Sequence, residues 1–206
     1  MIYTEKAKSM IMDYFTNNDA LRQQETQLHE QVNGKRITPT VFHENISEIQ
    51  KKRAAMQRDL SDNLDGLQAE YSMAVTAWGA LDGSKITDDL KLLTDSFKLT
   101  EDDLTALSEK HKGNVTMQRI IHEYASKHDI FYTPSTPAPV RKIAAFAALC
   151  DNFRSASRDT DNPFTRKFVE DYTAPEALMD HGECPEPAEP VKIMSEAERL
   201  FRESFN

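Results

Sequence analysis

Residues 38–81 read TPTVFHENISEIQKKRAAMQRDLSDNLDGLQAEYSMAVTAWGAL, and their spacing decides the fold. Phe42, Ile46, Ile49, Met56, Leu60, Leu64, Leu67, Tyr71, Ala74, Trp78 and Leu81 follow one another in steps of three and four, with Arg53 filling the one polar gap. Steps of that size return each side chain to the same face of an α-helix. Thr38 supplies an N-cap, and Pro39 takes the first helical position, where its missing N–H costs nothing. The four-four step at Met56, Leu60 and Leu64 locally relaxes a left-handed supercoil. Gly66 is the weak point, at about 1 kcal/mol relative to Ala. The stretch predicts one helix about 64 Å long.

Upstream, Ala7, Tyr14, Leu21 and Leu28 repeat with a period of seven, beside a second row of Tyr3, Met10, Asn17, Gln24 and Gln31. These are a/d-type positions of a first helix, about 48 Å long, and Asn33-Gly34 supplies its stop, with Gly in the left-handed conformation. The connection from Gly34 to Thr38 forces the two helices antiparallel. Folding about residue 36 places Ile49 near Gln23 and Leu64 near Lys8. The second row turns polar after Met10, so the coiled-coil-like seam is weak and predicts self-association through Leu21, Leu28 and Leu60. Helix two outruns helix one, so Tyr71 to Leu81, with the only tryptophan, needs another partner. Trp78 is therefore expected to lie buried against the region that follows.

Residues 83–128 read as three short helices: one capped by Thr87 and running through Leu93, one capped by Thr100, one capped by Asn114. Gly83 is expected to end the long helix and Gly113 the second short one. Leu90, Leu93, Phe97, Leu99, Leu104, Leu107, Met117, Ile120, Ile121 and Tyr124 are the core candidates. The join at Lys112-Gly113-Asn114 has the form of a helix-turn-helix, with Asn114, Thr116, Gln118, Arg119 and Glu123 outward. One Arg beside acids is a poor groove reader, which favours plain helix packing. Three prolines make 131–139 an extended connector. Val140 to Arg154 then forms a helix with Val140, Ile143, Phe146, Ala147, Cys150 and Phe153 on one side. Asn162-Pro163 opens a short helix carrying Phe164, Phe168 and Tyr172.

From Thr173 to Pro190 there are four prolines and four glutamates, the composition of an extended linker. Beyond it, Ser195 and Glu198 form a capping box, and Ile193, Ala197, Leu200, Phe201 and Phe205 fall near one helical face. Such a tethered amphipathic helix either docks on a partner or folds back on its own chain. The expected fold is therefore all-α. A long antiparallel hairpin occupies 1–82, a compact helical domain 83–172, an acidic Pro-rich linker 173–190, and an amphipathic docking helix 191–206.

Charge narrows the function. The 206 residues carry a net charge of −9, of which residues 170–206 supply −7, from ten acids and three bases. A duplex-binding protein gathers Lys and Arg on one face, so direct nucleic-acid binding is not expected. No apolar run approaches the ~20 residues that cross a bilayer, and the charged N-terminus lacks the apolar core of a signal peptide. Two cysteines, Cys150 and Cys184, suit a reducing cytosol rather than a disulfide framework. No phosphate loop, dinucleotide fingerprint, nucleophile elbow or HExxH stretch occurs. His181 and Cys184 offer at most half a zinc site. Cys150 sits among alanines as a small hydrophobe. No catalytic residue, cofactor or metal is expected.

Trp78 to Ile130, WGALDGSKITDDLKLLTDSFKLTEDDLTALSEKHKGNVTMQRIIHEYASKHDI, contains a K-x-N-x-T-M-x-R-x-I run from Lys112 to Ile121. This quarter of the chain resembles the C-terminal part of helical proteins encoded among the head and structural genes of tailed phages and prophages of Gram-positive bacteria. The resemblance implies a long charged helical region ahead of a small helical module, and a non-enzymatic structural or capsid-assembly role. It brings no catalytic residues. The expected partner is a protein, a capsid or other virion component, met in the host cytoplasm or in the virion. Leu21, Leu28, Leu60, Trp78, Ile193, Leu200, Phe201 and Phe205 are the candidate contact residues. One alternative is a phage-encoded inhibitor of a host defence nuclease or other host protein. That would need a dense acidic face on ordered structure. An uncharacterised enzyme is the third class.

Overall fold

Six α-helices and two 3₁₀ turns make up all the regular structure in the computed structural model, which describes residues 2–94 and 96–173. The helices are α1 (Ile2–Asn33), α2 (Pro39–Trp78), α3 (Glu101–Lys110), α4 (Val115–Lys127), α5 (Pro139–Arg158) and α6 (Pro163–Glu170); the 3₁₀ turns are Gly83–Lys85 and Asp88–Leu93. The protein is all-α, as its apolar spacing requires. The linker and helix expected beyond 173 lie outside the described residues.

The described chain forms two compact units, one of residues 2–68 with 148–173 and the other of residues 69–147. The first break thus falls at 68/69 rather than at 82 and another falls at 147/148, because α2 and α5 each serve both units. Tyr71 of α2 stacks on Phe146 of α5, ring centroids 4.3 Å apart, within the second unit. The later α5 residues Leu149, Cys150, Phe153 and Ala156 are buried in the first.

In the first unit α1 and α2 form the antiparallel hairpin. His29 meets Phe42, ring centroids 4.9 Å apart, and Arg53 Nε donates to Asn18 Oδ1 at 3.0 Å. Both contacts have essentially the register of a chain folded about residue 36. Arg53 also bonds Glu25 at 3.0 Å, so the polar gap in the α2 stripe is an ion-pair position on the seam. Thr38 Oγ1 caps α2 by accepting from Val41 N. The turn departs from expectation at one residue: Lys35, not Gly34, has positive φ, at 55°. Bonds from Arg36 N to Gln31 O and from Lys35 N to Val32 O complete a Schellman closure, which sets the left-handed residue one place after the glycine.

The α2 stripe is buried as read, at Ile49, Met56, Leu60, Leu64, Leu67 and Tyr71, with Val75 replacing Ala74. The α1 stripe differs. Of the second row only Tyr3 is buried, and Thr4, Ile11, Phe15 and Asn18 join Ala7, Tyr14 and Leu21 instead. The cause is a third partner. Tyr14 Oη donates to Ser157 O at 3.2 Å, Asn18 Nδ2 to Thr160 Oγ1 at 3.1 Å, and Arg166 Nη2 to Asp19 at 2.7 Å. Arg22 pairs with Asp161 and Arg154 with Asp65. Packed on two sides, α1 buries a stripe wider than a two-helix seam. Burial pushes the Tyr14 phenol above its ordinary pKa, against the pull of Arg53 and Arg22.

In the second unit α3 and α4 pack through Leu104, Leu107, Ile121, Tyr124 and Ala125. Thr100 and Asp103 form a complete capping box on α3, and Asn114 caps α4 through Met117 N. Gly113, at φ 84°, supplies the left-handed turn between them. Several expectations are corrected here. Helix α2 ends at Trp78 rather than running to Leu81 and Gly83, and residues 88–93 form a 3₁₀ turn whose Thr87 makes no side-chain cap bond. Thr116 and Gln118, placed outward in the helix-turn-helix reading, are buried: Gln118 Nε2 donates to Ser108 O at 2.6 Å and to His111 O at 3.0 Å. They are packing residues, and no groove-reading face carries them.

Candidate partner-binding surfaces

Of the candidate contact residues, Leu21 and Leu60 are buried inside the first unit, so they hold the hairpin together and present nothing to a partner. Leu28 is half-buried on α1 near the turn. Ile193, Leu200, Phe201 and Phe205 lie outside the described residues. Trp78 is half-buried rather than enclosed, and what covers it is unexpected. Lys142 of α5, only 1 % exposed, places its ammonium 5.2 Å from the indole centroid, a cation–π geometry. Pro139 sits against the end of α2, and a Cβ at Gly79 would meet Pro139 Cγ at 2.6 Å. Gly79 is thus what lets the start of α5 approach α2. The lysine gave no signal in the sequence, because its long apolar stem is invisible to a hydropathy pattern.

The segment 82–94 and 96–99, here called the strap, is the more informative surface. It leaves α2 and lies on α4. Its backbone is pinned by polar contacts: Asp82 N donates to Thr116 Oγ1 at 3.0 Å, Asn114 Nδ2 to Lys85 O at 2.7 Å, and Tyr124 Oη to Phe97 O at 2.6 Å. Asp89 bridges to both Lys110 and His111 at 2.7 Å. Lys110, and after it His111, hold the Asp89 carboxyl below its ordinary pKa. Leu93 and Leu99 turn inward onto the α3–α4 core. Leu90 and Phe97, expected in that core, turn outward instead. Together with Leu81, Ile86 and Leu92 they are 36–58 % exposed. A 3₁₀ turn brings side chains back every three residues, so a pattern written at helical spacing fans out when the chain winds more tightly.

A second apolar surface lies on α6. Val169, not Phe164 or Phe168, is the buried residue of this helix. Arg166, 5.2 Å from the Phe15 ring, holds the inner side. Phe164 and Phe168 face out at 80 % and 52 % exposure. Phe168 leads to Tyr172 at 6.2 Å, and Tyr172 to the buried Phe153 at 5.7 Å.

The nucleophile candidates are muted. Burial pushes the Cys150 thiol to about 11, so it stays protonated at neutral pH. Among the described residues no three His, Cys, Asp or Glu side chains gather to hold a metal, and no helix is long and apolar enough to cross a membrane. No protein-family model, curated protein or solved structure matches the chain.

Proposed function

We propose that the chain is a non-enzymatic structural or capsid-assembly protein of a tailed phage, acting through protein–protein contacts made by the strap. One observation carries the proposal. A segment whose backbone is pinned at Asp82, Lys85 and Phe97, and whose Asp89 carboxylate is held by Lys110 and His111, nevertheless turns Ile86, Leu90, Leu92 and Phe97 to solvent, with Leu81 just ahead of it. Scattered apolar residues on a surface are ordinary, whereas several along one anchored segment favour an interface. The strap also lies within the stretch that resembles phage head-cluster proteins, which supports a virion partner. The hairpin unit would supply a rigid support, and its buried Leu21 and Leu60 serve that support rather than contact.

The test is mass spectrometry of purified particles and of assembly intermediates, with wild-type protein and with Leu90→Asp combined with Phe97→Asp. The proposal expects the wild-type chain in particles or intermediates, and a several-fold loss of the variant from them at equal expression. Absence of the wild-type chain from both, with normal particles formed when its gene is deleted, would overturn the assembly role.

A further inference from the structure

We infer that the outward face of α6, formed by Phe164 and Phe168 and continued past the helix end by Tyr172, is a docking site for residues 191–206 of the same chain. Phe164 and Phe168 stand at i and i+4 on α6, and Tyr172 follows two residues beyond its last residue, Glu170, with its ring 6.2 Å from that of Phe168. The stripe continues from the buried core, through Phe153 and Tyr172, to the exposed Phe168 and Phe164. A stripe of that kind accepts an amphipathic helix laid along it, anchored by side chains at i, i+3 or i+4, and i+7. Residues 191–206 carry that pattern at Ile193, Ala197, Leu200, Phe201 and Phe205.

Chain length and exit point select this occupant. The chain passes from Tyr172, the last aromatic of the stripe, into the 17 residues 174–190, and then into the patterned segment. Seventeen residues span about 20 Å as a flexible coil and about 50 Å as an extended Pro-rich segment. Helix α6 is itself about 12 Å long, so the segment reaches the face with chain to spare. A tether of this length sets an effective concentration on the order of millimolar, well above that of a second copy in dilute solution. A 16-residue helix is marginal alone in water, so the segment gains most from a surface already formed beside it. This inference does not rest on what binds the strap.

Hydrogen exchange on the full-length chain tests it, with wild type compared with Phe164→Asp/Phe168→Asp and with Leu200→Asp/Phe201→Asp. Phe164 and Phe168 are exposed, so the first variant should keep its circular dichroism and melting temperature; the second leaves the described units untouched should it not. Amides of 191–206 are expected to exchange about tenfold more slowly in wild type than in either variant, equally at low and high micromolar protein. Equal exchange in wild type and the Leu200→Asp/Phe201→Asp variant would overturn the inference. So would slowing that appears only as concentration rises, because a second copy would then be the occupant.

Discussion

The α2 stripe from Ile49 to Leu67 and the strap residues from Ile86 to Phe97 both carry large apolar side chains at steps of three and four, yet one set is buried and most of the other faces water. Regular α-helical winding separates them. In α2 each step of three or four returns to one face, and that face meets α1. In the strap two 3₁₀ turns interrupt the winding, only Leu93 and Leu99 reach the core, and polar contacts rather than apolar packing hold the backbone. Hydrophobicity alone therefore does not predict burial; in these two regions a sustained helical repeat against a partner helix does.

The sharpest way to break this contrast is in the hairpin. Leu64 is fully buried, and Leu64→Ala should cost about 2–5 kcal/mol in denaturant unfolding. A cost below 1 kcal/mol would mean the seam is looser than its burial implies. Glycine replacements come next. Gly79→Ala drives a Cβ into Pro139 and should destabilise by about 1–3 kcal/mol. Gly66→Ala meets nothing within 4 Å in mid-helix and should stabilise by about 0.5–1 kcal/mol.

How much of this was legible follows from the same contrast. Thr38, Thr100, Asn114 and Asn162 act as caps where the sequence places them, since capping depends on a few adjacent residues. The α2 face was legible because its steps persist over many turns. The α1 stripe was half legible, because Phe15 and Asn18 answer to Arg166 and Thr160, more than 130 residues downstream. The burial of Val169 rather than the aromatics of α6 was not legible, because α6 spans only two turns, too few for a pattern to choose its face. The candidate contact residues were sought along helical stripes, where Leu21 and Leu60 proved structural. The strap was missed because Leu90, Leu93 and Phe97 also fit a helical core.

The remaining perturbations are smaller and fall on the strap. Asp89 has a depressed pKa in the folded protein, so its anionic form favours the folded state. That contribution is complete above the ordinary value of 3.8 and is lost as pH falls through the lower folded value. Asp89→Asn should therefore lower the melting temperature at pH 6, and its difference from wild type should shrink as pH falls below 3.8 and through the lower folded value. A gap that does not narrow at all from pH 6 to the lowest pH at which the protein stays folded would place the effect elsewhere than in the ion pair. Least of all, Leu90→Asp with Phe97→Asp should change stability by no more than about 0.5 kcal/mol, because both side chains already face solvent. A loss of several kcal/mol would return these residues to the core.

Hydroxyl-radical footprinting of the strap, in the free protein and in purified particles or their assembly intermediates, tests the central claim most directly. The account predicts that Leu90, Leu92 and Phe97 oxidise readily in the free protein and are protected several-fold in the assembly, while buried Leu64 stays protected in both. Equal oxidation of Leu90, Leu92 and Phe97 in the two states would contradict it.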